Sequence, residues 1–470
     1  MTATERTGPR LAEGRSGTSH APNLSLARCL EYCNAERDGA GLGAFRALFG
    51  ALLCFSVARF WAYGWIEELY LRPPFHFTYF GFGWVRPWPP LGMYAHFGVM
   101  ALAAACLCIG LASRLSSFVF FLAFTYAELI EKASYLNHYY FVSLVTLLLA
   151  TMPSGAELSF DAWLRRRRGQ APLRARAWCY ALIRAQLTLL YLFAGFAKLN
   201  RDWLLAAEPL GTWLALHADA PLIGPLLGSR GAAYFASFAG AAFDLSIPFW
   251  LSWRRSRPWA YAIALVFHVG VWLLFPIGVF SWVMMASTTI FFDPSWPRRW
   301  LRTRATPPPL EAVSPSGRLG RAPLGLAGAY LVLQLVVPLR FVLYPGDVNW
   351  HEQGFRFAWR VMLVEKAGQV EFTVLTGADE RRYVVYPREL LTPLQYKMMS
   401  TQPDMIQQFA RHLQQTFQAQ GHERVRVYAE AWASLNGRPR QRLIDPGVDL
   451  ANEPWSLWPK RWILPLQNSS

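Results

Sequence analysis

Charge is scarce in this 470-residue chain: 16% of residues are Asp, Glu, Lys or Arg, against 53% apolar. With a mean hydropathy of +0.18, that balance excludes an ordinary soluble enzyme of this length. The apolar residues are nevertheless too interrupted for a bundle of spans alone, so a membrane domain joined to a water-facing domain is expected. Cysteine is sparse as well. The six are Cys29, Cys33, Cys54, Cys106, Cys108 and Cys179, so disulfides cannot hold together anything beyond residue 179. Cys29 and Cys33 have a spacing that a metal tolerates, but no histidine pair or second cysteine pair stands near them, and no metal is expected. No Gly-rich phosphate loop, GxSxG, HExxH or EF-hand loop occurs, which argues against the chemistries those motifs carry. An internal repeat is missing too, which weakens a transporter built from inverted halves. Acidic residues number 30 against 46 Lys and Arg. The resulting net charge of +16 needs no nucleic-acid partner, because the arginines sit in short loops between apolar runs, as the positive-inside rule requires.

What is present divides the chain into three parts. Residues 1 to about 25 are rich in Ser, Thr, Gly, Pro and Arg and lack the apolar core of a signal peptide, so they are expected to be disordered. Residues 1–42 then comprise this segment and a short interfacial stretch near Ala27 to Tyr32. Apolar runs follow at 43–63, 92–111, 116–131, 137–152, 179–198, 233–253, 259–275, 277–292 and 323–343. They predict a polytopic α-helical membrane domain over 43–343 with about nine transmembrane helices. The pair flanking Pro276 also suits a re-entrant hairpin. Arginines at 165–168, 254–257 and 298–321 mark the cytoplasmic side. That leaves the aromatic, Pro-rich segment 64–91, read as interfacial, and the stretch 199–230 on the outer side. After 344 the character changes. Alternation predicts strands at 355–364, 370–375, 382–385 and 424–435, the last followed by an Asn-Gly turn, with helices broken at Pro393 and Pro403. Residues 344–470 therefore read as a small C-terminal α+β outer domain.

Ionisable groups within apolar runs are costly, so they line a cavity, pair up or do chemistry. Here they include Glu128, His138, Arg184, Lys198, Asp244 and His268. Lys198 closes an apolar run, and Ala194, Gly195 and Ala197 leave room for close helix approach just before it. Its ammonium either snorkels to the interface as an anchor or turns into a protein-lined pocket, where desolvation favours a neutral, basic amine. Asp244 reads as a helix–helix partner of Arg184 or Gln186, and His268 reads as structural as readily as catalytic. Asn137 and His138 open the fourth run at the level where Lys198 ends the fifth. An amine, an imidazole and an amide at one depth suit deprotonation of an apolar acid such as a quinol. The residues themselves name no reaction.

The motifs Gly43–Gly50, Ser134–Tyr140, Ala194–Trp203, Phe243–Ser246 and Ile277–Ser287 occur in order, followed by Pro294-Ser-Trp-Pro-Arg298. Beyond the membrane come Asn349-Trp350, Phe357–Met362, Trp432–Asn436 and Ile444–Asp449. In these residues, over about 40–466, the chain resembles the vitamin K-dependent γ-glutamyl carboxylases, within the wider horizontally transferred transmembrane domain family. The resemblance implies that Lys198 is the amine that deprotonates reduced vitamin K, a naphthohydroquinone. Asn137 and His138 would hold and polarise the quinone oxygens, and His268, Phe280, Ser281 and Met284 would bind the quinone. Oxygen addition would then yield an alkoxide that removes a γ-hydrogen from a peptide glutamate, and carbon dioxide would trap the carbanion as the quinone leaves as its epoxide. The partners implied are membrane lipid, quinone and a Glu-containing peptide or protein. The arginine- and alanine-rich, compact chain points to a bacterial inner membrane, and the loop arginines are expected to leave the C-terminal domain outside. Two departures stand out. The cysteines of the family's inter-segment disulfide have no match, and Val364 and Val384 fall roughly where the family has a His and a Tyr. A quinol epoxidase that leaves peptide glutamate untouched, and a non-catalytic membrane scaffold, are the competing readings.

Overall fold

A computed structural model describes residues 26–171, 173–301 and 321–467. The N-terminal 1–25 and most of the linker at 301–322 lie outside the described residues. Each apolar run forms a helix: α1 Ala40–Ala62, α2 Pro90–Ile109, α3 Ser113–Ile130, α4 Asn137–Thr151, α5 Ala177–Ala197, α6 Arg230–Ser252, α7 Arg257–Leu274, α8 Phe280–Thr288 and α9 Arg321–Leu339. Seven of these are long and apolar enough to cross a membrane; α4, with 15 residues, and α8, with nine, are not. At 1.5 Å per residue the two reach only about 22 and 14 Å. Ten of the 15 residues of α4 and six of the nine in α8 are buried by protein, so neither has to match the bilayer thickness. By contrast, only 17% of the apolar window of α7 and 11% of that of α9 are buried. The outermost helices face lipid, and the short ones form the inside.

Close approach is built on small residues. A Cβ at Gly50 would stand 2.6 Å from the Cys108 backbone, and one at Gly43 would stand 2.3 Å from the Glu157 carbonyl. Between them the buried Arg46 donates to the carbonyls of Leu107, Cys108 and Leu158, satisfying chain ends that water cannot reach.

The C-terminal domain is a four-stranded antiparallel sheet, β1 Lys366–Thr376, β2 Arg381–Val385, β3 Arg426–Leu435 and β4 Gln441–Arg442, in the order β2-β1-β3-β4. Alternate residues of β3, from Val427 to Leu435, point inward against α11 (Pro403–Ala419), whose Met405, Ile406, Phe409 and Leu413 supply the other half of the core. The helix α10 (Pro393–Met399) and α11 each begin on the predicted proline. Asn436 and Gly437 both adopt positive φ, 48° and 78°, completing the turn after β3.

Two expectations change. Residues 355–364 form an irregular strap, not a strand, with Phe357, Trp359 and Met362 at φ of 61°, 55° and 55°. The alternation is real but serves docking. Trp359 is fully buried and stacks on Tyr140 of α4, while the Phe357 amide donates to the Tyr135 hydroxyl at 2.7 Å. Segment 64–91, expected to lie along the membrane, folds partly upward. Phe77 is buried in the C-terminal core and Phe75 stacks on His412, because burial in a packed core gains more than an interfacial position. The two domains are also tied by Asp404, which accepts from Lys132 at 2.9 Å and Arg356 at 2.8 Å. Burial alone would raise the Asp404 pKa, but these two cations outweigh it and hold the carboxyl well below the usual range.

Candidate active site

The site begins at the C-terminal end of α5. Tyr191, Ala194 and Lys198 recur at helical spacing and share one face. Gly195 lets α6 approach so closely that a Cβ there would lie 2.7 Å from the Leu245 side chain. That contact sets Lys198 beside the residue preceding Leu245. Lys198 Nζ donates to Asp244 Oδ2 at 2.7 Å, with both residues under a tenth exposed. Longer contacts, 3.4 Å each, run from the same nitrogen to the carbonyls of Ala194 and Val361. The Trp203 ring lies 5.1 Å away. Lys198 is thus neither free in water nor snorkelling. It is a buried member of an ion pair whose partner comes from the next helix.

The pair lies in the wall of a cavity of about 530 Å³ between α5, α6, α7 and α8, bordered at the strap end by Val361 and Met362. Its lining is apolar except for Tyr191, Lys198, Asp244, His268 and the indole of Trp203. His268 Nε2 lies 3.0 Å from the Tyr191 hydroxyl, while its Nδ1 is buried with no protein partner among the described residues. Phe235 and Val266 border the cavity yet are 77% and 74% exposed, so the space opens between α6 and α7 toward lipid. An apolar container of this size with a few convergent polar groups fits a ring-shaped, lipid-soluble ligand.

Of the residues singled out from the sequence, Lys198, His268, Phe280 and Met284 line this cavity together. Three do not. His138 lies behind Phe280, with ring centroids 5.7 Å apart. Asn137 donates its amide to the Arg360 carbonyl at 3.1 Å and accepts from the Tyr135 hydroxyl at 3.0 Å. Ser281 is buried, with its Oγ unpartnered among the described residues. Asn137 and Lys198 therefore hold successive strap carbonyls, those of Arg360 and Val361.

Asp244 does not meet its expected partners. Arg184 donates to the carbonyls of Ile290 and Phe292, and Gln186 accepts from Tyr330. Both lie more than three turns before Lys198 on α5, at the wrong depth for Asp244. Tyr191 was not singled out either, although its place seven residues before Lys198 marks the shared face. Val364 packs beside Leu363, and Val384 is exposed on β2; neither brings a polar group to the cavity. Among the described residues no His, Cys, Asp and Glu group suited to a metal is found.

The class defined by these features is a polytopic helical membrane protein whose bundle holds a buried amine–carboxylate pair beneath a separate sheet domain. Comparison with known families narrows it. The HTTM domain profile matches residues 34–296, more than half of the chain, and the profile for the vitamin K-dependent gamma-carboxylase lumenal domain matches 320–469. The chain belongs to the HTTM-domain family, as a vitamin K-dependent gamma-carboxylase-like protein. No solved structure matches it.

Proposed function

We propose that the protein is an integral membrane enzyme that deprotonates a reduced naphthoquinone and couples its oxygenation to γ-carboxylation of a peptide glutamate. The observation that carries this reading is the Lys198–Asp244 pair, buried in the wall of an apolar cavity that opens to lipid. The cavity's size and apolar walls, with the spare Nδ1 of His268, fit such a ring. When bound with oxygen, it would supply the strong base that carboxylation of glutamate demands, with carbon dioxide as co-substrate.

The chain's own residues do the rest. Lys198 accepts the proton of a ring hydroxyl. His268, steadied by Tyr191, hydrogen-bonds a second oxygen through Nδ1, and Phe280 and Met284 hold the ring faces. The strap residues Val361 and Met362 keep bulk water out. Asn137 holds that strap, and His138 supports Phe280 from behind. A glutamate-bearing segment approaches from the outer side, which in a bacterial inner membrane is the periplasm.

A second reading has one specific support. Among the described residues Lys198 is the only cation lining the cavity, and Asp244 already engages it. No spare positive charge waits there for a glutamate carboxylate, which favours a quinol epoxidase acting without peptide. One assay separates the two. Purified protein in detergent receives the reduced naphthoquinone, oxygen, bicarbonate and a short Glu-containing peptide. The carboxylase reading expects epoxide together with a peptide heavier by one carboxyl group. Epoxide with unchanged peptide selects the second reading, and neither product points to a scaffold.

A further inference from the structure

The Lys198–Asp244 contact has a chemical consequence that the assignment of a lone amine base leaves out. Among the described residues that line the cavity, Asp244 is the only carboxyl and Lys198 the only amine or guanidinium. They come from different helices, yet their charged atoms are 2.7 Å apart. The other groups that face them are accounted for. Tyr191 of α5 and His268 of α7 bond each other, α8 contributes Phe280 and Met284, and the strap presents the Val361 carbonyl. Asp202, on the turn after α5, is taken by Arg438 and Asn436, and Arg360 is turned to Asn349. Beyond each other, the two charges meet the carbonyls of Ala194 and Val361, each 3.4 Å from the amine, and the Trp203 ring at 5.1 Å; among the described residues that line the cavity no other charged side chain faces them.

We propose, on the quinol reading above, that Lys198 and Asp244 form a single proton-holding unit in which Asp244 is a positioning residue acting through the amine. At rest the pair shares one proton. Written as ammonium–carboxylate or as amine–carboxyl, its net charge is zero, and in a dry cavity the second form costs little because no isolated charge is buried. The amine–carboxyl form presents a nitrogen lone pair to the substrate. When it takes the substrate proton, the hydroxyl O–H bond breaks and an N–H bond forms. The pair ends as ammonium–carboxyl with one positive charge, and the substrate oxygen keeps the electron pair and one negative charge. At 2.7 Å each group feels the proton held by the other. Asp244 therefore sets the pH at which the nitrogen becomes available, and the pair regains its neutral resting state by releasing one proton after turnover.

The test compares wild type, Asp244→Asn and Asp244→Glu over pH, following quinol consumption by the full-length protein in detergent. Asn at this position removes the carboxylate that steadies the ammonium, so the acidic limb of the rate profile should move to lower pH. The rate at its optimum should fall about 100-fold or more, within the range of general-base effects. Glu should restore part of both. A normal rate in the Asn protein, or a reduced rate with an unmoved limb, overturns the unit. A second readout needs no turnover. Labelling of Lys198 by an apolar amine-reactive reagent, mapped by mass spectrometry against pH, should shift to lower pH in Asp244→Asn and stay near wild type in Asp244→Glu. Should the Asn protein not fold, Asp244→Ser gives the same comparison. Shifted labelling with an inactive wild type keeps the pair and defeats the quinol reading; unshifted labelling defeats the pair.

Discussion

Lys198 and Asn137 reach the same strap from two helix ends, one through Val361 and the other through Arg360. Asn137 thereby spends its amide on protein. Replacing it with Ala should lose two partly buried hydrogen bonds, to the Arg360 carbonyl and from the Tyr135 hydroxyl, about 1–3 kcal/mol together, and expose the 355–364 strap to protease. Unchanged cleavage with a selective rise in KM for the quinol would instead make Asn137 a ligand of the ring. At this scale the sequence was informative about which polar residues matter and poor on who meets whom. Lys198 and His268 are legible as costly ionisable groups in apolar runs, whereas Phe280 and Met284 stand out only through the family resemblance that the ordered motifs carry. Asp244 was legible as a costly acid, but its partner was not. Depth along one helix can be counted from sequence, whereas the facing residue depends on how two helices cross.

That crossing is an element-scale matter, and Gly195 governs it. Its missing side chain lets α6 press against α5 at Leu245, one residue from Asp244. Gly195→Leu should push the helices apart, costing about 1–3 kcal/mol through overpacking and lowering quinol turnover together with the thermal midpoint in detergent. An active, equally stable variant would show that the close approach does not set the pair. The helices themselves were readable as apolar runs, and β1, β2 and β3 as alternating ones. The strap reads as a strand in the sequence because docking of Trp359 into the bundle and true strand alternation leave the same pattern of large and polar residues. The backbone distinguishes them only through three positive φ angles at Phe357, Trp359 and Met362, which non-glycine residues rarely announce in advance. Likewise α4 and α8 are too short to span, and their apolar sequence records protein packing as much as lipid contact.

Across the whole molecule, the bundle, the strap and the sheet domain make one arrangement: a mouth between apolar helices, an apolar cavity and a protein cover on the side away from the arginine-rich loops. Asp404, Lys132 and Arg356 clamp the cover, and the α5–α6 pair lies beneath it. A scaffold would need the clamp but has no evident use for a buried amine against a carboxylate at a cavity wall. The most direct test of that central point is epoxide formation by purified Lys198→Ala with and without small primary amines. The variant should form no epoxide by itself and recover part of the activity with added amine, more so as pH rises and more of the amine is neutral. Undiminished epoxide formation by Lys198→Ala would contradict the base assignment and the account built on it.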